Sequence, residues 1–246
     1  MTRFARLLVL AASLLALGTP LRAQEPVDLL LVLASDVSRS VDTRKFQLQR
    51  EGYAAALSNP KVIDAIRSGP HGRIAICFVE WSGVTSQKLV IDWTIVSDAA
   101  SARKIGDQLI ELPRAFADRT SISAGIEFSM SQLERAPFRG VRRTIDVSGD
   151  GTNNSGRDVT LARDEALAKG VTINGMVILS DSPLPWNPEH TNPPGGLDAY
   201  YRNSVIGGAG AFVMVAENHN SFGQAIVKKM IAEIAWVPAQ KPVVMR

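Results

Sequence analysis

Asp36, Ser38 and Ser40 alternate in the stretch Asp36-Val37-Ser38-Arg39-Ser40, which offers one carboxylate and two hydroxyls directly after an apolar run. Two further loops carry matching chemistry: Thr120 in Asp118-Arg119-Thr120-Ser121-Ile122-Ser123, and Asp150 in Ser148-Gly149-Asp150-Gly151, again after an apolar run. Two carboxylates and three hydroxyls form an all-oxygen set suited to a hard divalent cation, Mg²⁺ first, with Mn²⁺ or Ca²⁺ as alternatives. Mg²⁺ gives up water reluctantly, so such a set keeps waters and leaves a position for an oxygen supplied by a partner. Taken singly, each loop reads as structural, because Ser and Thr cap helices and Asp beside Gly makes turns. The combination carries the chemistry only if one edge of the fold gathers all three loops.

The elements that must do so follow from periodicity. Short apolar runs rich in Val and Ile predict strands over 27–34, 73–81, 88–93, 143–147, 171–179 and 211–216. Segments of helical period predict helices over 42–58, 98–112, 120–135, 157–169 and from Ser221 to about Trp236, with Phe46, Tyr53 and Leu57 sharing one face of the first. Gly170 suits a left-handed helix end. A turn at Ser82-Gly83 predicts one antiparallel strand at a sheet edge. The fold class expected is α/β, a doubly wound and mostly parallel central sheet with one antiparallel edge strand and helices on both faces. In such sheets ligands bind beyond the carboxyl ends of the strands at the topological switch point, where all three polar loops fall.

With the loops in that order, Asp36-x-Ser38-x-Ser40, Thr120 and Asp150 resemble the metal ion-dependent adhesion site of von Willebrand factor A domains and integrin inserted domains. The resemblance covers residues 27 to 236 by element order, and all five motif positions match. It implies that Ser38, Ser40 and Thr120 contact the metal directly or nearly so, while Asp36 and Asp150 act partly through bound water. It also implies a partner, a protein or peptide, that supplies a carboxylate. A second resemblance is to bacterial exported proteins of this fold with uncharacterised function, carried by segments such as Phe78-Val79-Glu80-Trp81-Ser82 and Val205-Ile206-Gly207-Gly208-Ala209-Gly210.

Residues 1–23 carry Arg3 and Arg6 ahead of an apolar run from Leu7 to Leu17, the layout of a signal peptide cleaved after Ala23. That run is too short to span a bilayer comfortably, and Cys77 lies far from any lipoprotein cleavage point, so no membrane anchor is expected and the periplasm is the expected destination. The leader holds three of the 27 Lys+Arg and none of the 24 Asp+Glu, so residues 24–246 balance to a net charge of zero. Nothing in that charge favours nucleic acid or an anionic membrane. With a single cysteine no internal disulfide can form, and Cys77 reads as a buried strand thiol.

Glu80 and Trp81 close the second strand on the metal-loop edge, and Trp81 reads as a half-buried hairpin residue. The Pro-rich stretch 181–196, with Trp186 and His190, is longer than most connections and reads as a binding loop. None of His71, His190 and His219 has zinc-site spacing, and Asn153 and Asn154 read as turn formers.

These features together predict a metal-dependent binding module and not an enzyme. A metal-assisted phosphohydrolase is the enzymatic alternative, but it needs an acid two positions after its strand-end Asp, where this chain has Ser38. A metal-free interaction domain is the other alternative. No nucleophile elbow, P-loop or dinucleotide-binding glycine pattern is present in the sequence.

Overall fold

The structure is a computed structural model that describes residues 24–180 and 184–235; the expected signal peptide, residues 1–23, lies outside them, as does Trp236. Six strands form one sheet: β1 (Glu25–Asp36), β2 (Ile74–Trp81), β3 (Gln87–Val96), β4 (Phe138–Gly149), β5 (Thr172–Ile178) and β6 (Val213–Ala216). Their order is β3-β2-β1-β4-β5-β6. All neighbours run parallel except β2 and β3, so β3 is the antiparallel edge strand that the sequence predicts.

Helices α1 (Thr43–Leu57), α2 (Pro60–Arg67), α3 (Ala99–Glu111) and α6 (Phe222–Ile234) cover one face; α4 (Ile122–Glu134) and α5 (Val159–Ala168) cover the other. The alternation of strand side chains separates two cores. Val32, Val79, Trp81, Ile145 and Val147 pack with Ile122 and Ile126, while Leu31, Leu33, Phe78 and Met176 pack with Tyr53, Leu57, Ile105 and Ile226. Cover on both sides is why β1 is buried from Val27 to Asp36 and reads as an apolar run broken only by Asp28 near its start and by Ser35 and Asp36 at its end.

Local chemistry sets the helix boundaries. Asp42 accepts from Lys45 N at 2.9 Å and starts α1; Asp98 and Ser101 form a capping box at α3. Helix α2, absent from the sequence-based assignment, is eight residues long and begins at Pro60, where the missing N–H costs nothing. Gly170 adopts φ +71° at the end of α5, the left-handed cap expected of it.

Three expectations need correction. Thr120 is not in a helix: Ser121 caps α4, which starts at Ile122, so Thr120 sits in the loop before it. Trp81 is not half-buried but wholly buried beneath α4, so close that a Cβ on Gly125 would lie 2.9 Å from its ring. The connection after β5 is not one long loop: it holds helical turns at Pro188–Thr191 and Leu197–Tyr200 and a π-turn at Tyr201–Val205.

Candidate metal centre

β1 and β4 lie side by side with Ser35 in register with Ser148, and Asp36 and Asp150 stand where these two strands end. From β1 the chain turns to one side to build β2 and β3, then returns to lay β4 on the other, which makes this the switch point of the sheet. Asp36 Oδ1 accepts from Ser38 N at 2.7 Å, which curls the first loop back over its strand. Ser38 Oγ and Ser40 Oγ are 3.1 Å apart, and Ser40 Oγ donates to Asp150 Oδ1 at 2.5 Å. Four of the five candidate residues thus form one buried, bonded group. The fifth, Thr120, is buried too and shares with Ser40 the wall of a cavity of about 320 Å³.

The remaining carboxylate oxygens, Asp36 Oδ2 and Asp150 Oδ2, are buried with no hydrogen-bond donor. Burial, and then the neighbouring Asp150 charge, push the Asp36 carboxyl up to about 8. Lys45 Nζ comes within 3.7 Å of Asp150 Oδ2, an ion pair too long for a hydrogen bond, and gives its hydrogen bond to Ser40 O at 2.8 Å. Two buried carboxylates short of positive charge, next to three hydroxyls, fit a divalent cation. No group of three His, Cys, Asp or Glu side chains forms a metal cluster among the described residues. The candidate donors are carboxylate and hydroxyl oxygens, the chemistry of a hard ion.

Neighbouring loops hold this arrangement in place. Arg114 Nη2 donates to the carbonyls of Val37 and Ser38, the latter at 2.7 Å, clamping the first loop from outside. Glu80 anchors the segment that carries Arg114: it pairs with Arg50 at 2.6 Å and accepts from Ala115 N at 2.8 Å. Glu80 is fully buried and supports the site from within. Asp150 stands between two glycines that permit close approach. A Cβ on Gly149 would lie 2.6 Å from Tyr201 Oη and 3.2 Å from Asp36 Oδ2, and one on Gly151 would lie 2.3 Å from the His190 ring.

Sequence reasoning missed Lys45 and Arg114, and placed His190 in a binding loop without assigning it to the metal centre. His190 Nε2 is 3.2 Å from Thr120 Oγ1 across 70 residues of chain, and no local pattern announces such a contact. Burial lowers the His190 imidazole below its ordinary value. Asn153 and Asn154 do more than make turns: Asn154 Oδ1 accepts from Thr120 N at 3.0 Å and Asn153 Oδ1 from Ser123 N at 3.1 Å, tying the third loop to the start of α4. Arg39, Asp118, Arg119, Asn187, Leu184 and the exposed Trp186 line the same cavity, with Arg39 4.0 Å from Asp118.

The family described as "Protein of unknown function (DUF1194)" matches residues 26–238. No curated protein matches the chain by sequence. Among solved structures, the chain is similar to proximal thread matrix protein 1 from the mussel byssus with a zinc-occupied MIDAS motif, at 15% identity and a TM-score of 0.58 over 84% of this chain and 46% of that one. It is similar to a von Willebrand factor type A protein from Catenulispora acidiphila, at 14% identity and a TM-score of 0.54 over 85% of this chain and 43% of that one. It is also similar to an aerotolerance-related membrane protein from Bacteroides fragilis, at 18% identity and a TM-score of 0.50 over 83% of this chain and 99% of that one. The chain spans less than half the length of the mussel and Catenulispora proteins. At these identities the likeness is one of fold, and the fold is that of the von Willebrand factor A domain.

Proposed function

The chain belongs to the DUF1194 family and has the von Willebrand factor A fold, and from that premise we propose that it is an exported, metal-dependent binding module. Asp36, Ser38, Ser40, Thr120 and Asp150 hold a divalent cation, Mg²⁺ by the hardness of the oxygen set. The observation that carries this reading is the pair of carboxylate oxygens without a hydrogen-bond donor, Asp36 Oδ2 and Asp150 Oδ2, buried at the switch point beside the Ser38 and Ser40 hydroxyls, with Thr120 on the same cavity wall as Ser40.

When bound, the cation supplies an electrophilic position for a partner's carboxylate. Ser40 and Thr120 border the cavity through which that carboxylate arrives, and Arg39 and Arg119 on its wall outnumber the one carboxylate there, Asp118, so the wall favours an acidic partner. Trp186, 76% exposed, gives the partner an aromatic surface to pack on. The function is recognition and not catalysis. Export follows from the leader over residues 1–23; among the described residues no helix is long and apolar enough to cross a membrane.

The test is calorimetric titration of Mg²⁺ and Mn²⁺ into metal-stripped protein, beside Asp150→Ala. One ion bound per chain, and none in the variant, is the expected result. Equal binding by both proteins, or by neither, overturns the proposal.

A further inference from the structure

His190 belongs to no part of the five-residue motif, yet it closes a ring of hydrogen bonds around Thr120. Asn154 Oδ1 accepts from Thr120 N at 3.0 Å, so the amide's other end, Nδ2, is the group that faces His190 Nδ1 at 3.3 Å. The Thr152 hydroxyl, 3.3 Å from the same nitrogen, can rotate to donate there, whereas the Asn154 amide N–H can only donate; Nδ1 is therefore the acceptor, and a neutral ring carries its proton on Nε2. Nε2 lies 3.2 Å from Thr120 Oγ1 and donates to it. The Thr120 hydroxyl therefore cannot rotate freely: one lone pair is occupied by His190, and the other lone pair and the proton are left for the site. The ring itself is buried, and Gly151, next to Asp150, is the residue whose lack of a side chain makes room for it.

The same histidine ties a distant segment to the site. Thr152 N donates to His190 O at 2.9 Å, so both backbone and side chain of His190 are fastened to the metal loops, and Trp186 stands four residues upstream on the cavity wall. We infer that His190 is a positioning residue of the metal centre, which fixes the Thr120 hydroxyl for the cation and makes the segment 184–191 respond to metal occupancy. This rests on the metal-binding reading above. Coupling of this kind is reciprocal: what orders the segment strengthens metal binding, and metal binding orders the segment.

The experiment measures Mg²⁺ affinity by calorimetry, and amide exchange of residues 184–191 by mass spectrometry with and without Mg²⁺, for the wild type, Asp150→Ala, His190→Ala, His190→Gln and His190→Asn. His190→Ala is expected to weaken Mg²⁺ binding roughly 10–100-fold, the usual loss when a residue orienting a metal ligand is removed, and to abolish the Mg²⁺-induced protection of the segment. His190→Gln places an amide N–H where Nε2 was and restores both; His190→Asn is too short to reach Thr120 and restores neither. Wild-type affinity in His190→Ala, with Asp150→Ala unable to bind, overturns this inference and leaves the metal reading intact. Weakened binding that Gln does not restore, with no change in segment protection on adding Mg²⁺, shows a packing role only and also overturns it. Absence of Mg²⁺ binding by the wild type overturns the metal reading itself.

Discussion

Asp36 gives the metal-free protein a pH signature. The Asp36 carboxyl stands at about 8 in the fold against an ordinary value of 3.8 in the unfolded chain. Between those values the native state keeps a proton that the unfolded state has released, so stability is greatest at low pH and declines as pH rises toward the folded value. Metal-stripped protein is expected to melt at a higher temperature near pH ~5.5 than near pH ~8.5, and Asp36→Asn, which mimics the protonated acid, flattens that slope. An equal slope in the variant would assign the pH dependence to other groups. At this scale the grouping of Asp36, Ser38, Ser40 and Asp150 was legible because each follows a strand end that the apolar runs announce. His190 and Arg114 were not, because they reach the site from segments far along the chain and their neighbours in sequence have no bearing on their partners in space.

The elements were legible to different degrees for physical reasons. Strands buried on both faces leave continuous apolar runs, and β1, β2 and β5 were read from these. Strand β4 starts at Phe138, five residues before its expected start, because Arg139, Gly140 and Arg142 lie on its less covered half. Its interior also breaks the apolar pattern: Asp146 is fully buried and faces α6, where Lys229 Nζ lies 2.7 Å from Asp146 Oδ1 and pairs with Glu233 as well. Asn174 of β5 donates to Glu233 Oε1 at 2.8 Å, extending the polar cluster across the sheet. Lys229→Met leaves two buried carboxylates without their cation and is expected to cost about 3–5 kcal/mol, read as a lowered urea midpoint. A change below about 1 kcal/mol would mean that the cluster relaxes by protonation, as the raised Asp146 value of about 7 permits.

For the whole molecule, metal binding is a stability term. A ligand that binds only the native state adds about 2.7 kcal/mol at one hundred times its dissociation constant, so Mg²⁺ is expected to raise the melting temperature of the wild type and leave that of Asp150→Ala unchanged. An equal rise in both would be a general salt effect. The mostly parallel sheet, its antiparallel edge and the helices on both faces could be read from the alternation of elements, whereas the strand order came from the structure, and α2 and the turns after β5 are too short to leave a period. The central position of β1 has a further consequence, for biogenesis. It is the first of the six strands along the chain, beginning at Glu25, so synthesis from the N-terminus delivers it before either neighbour. One neighbour, β4, follows far behind, with Ala34 and Ser148 separated by 114 residues. Long-range parallel pairing is slow, and an unpaired apolar strand invites aggregation in the meantime. β1 can pair early with β2 on one side but stays open on the other until Ser148-Gly149 has been made, and the next residue, Asp150, belongs to the candidate metal centre, so the last parallel pairing of the central strand and the assembly of the site come together.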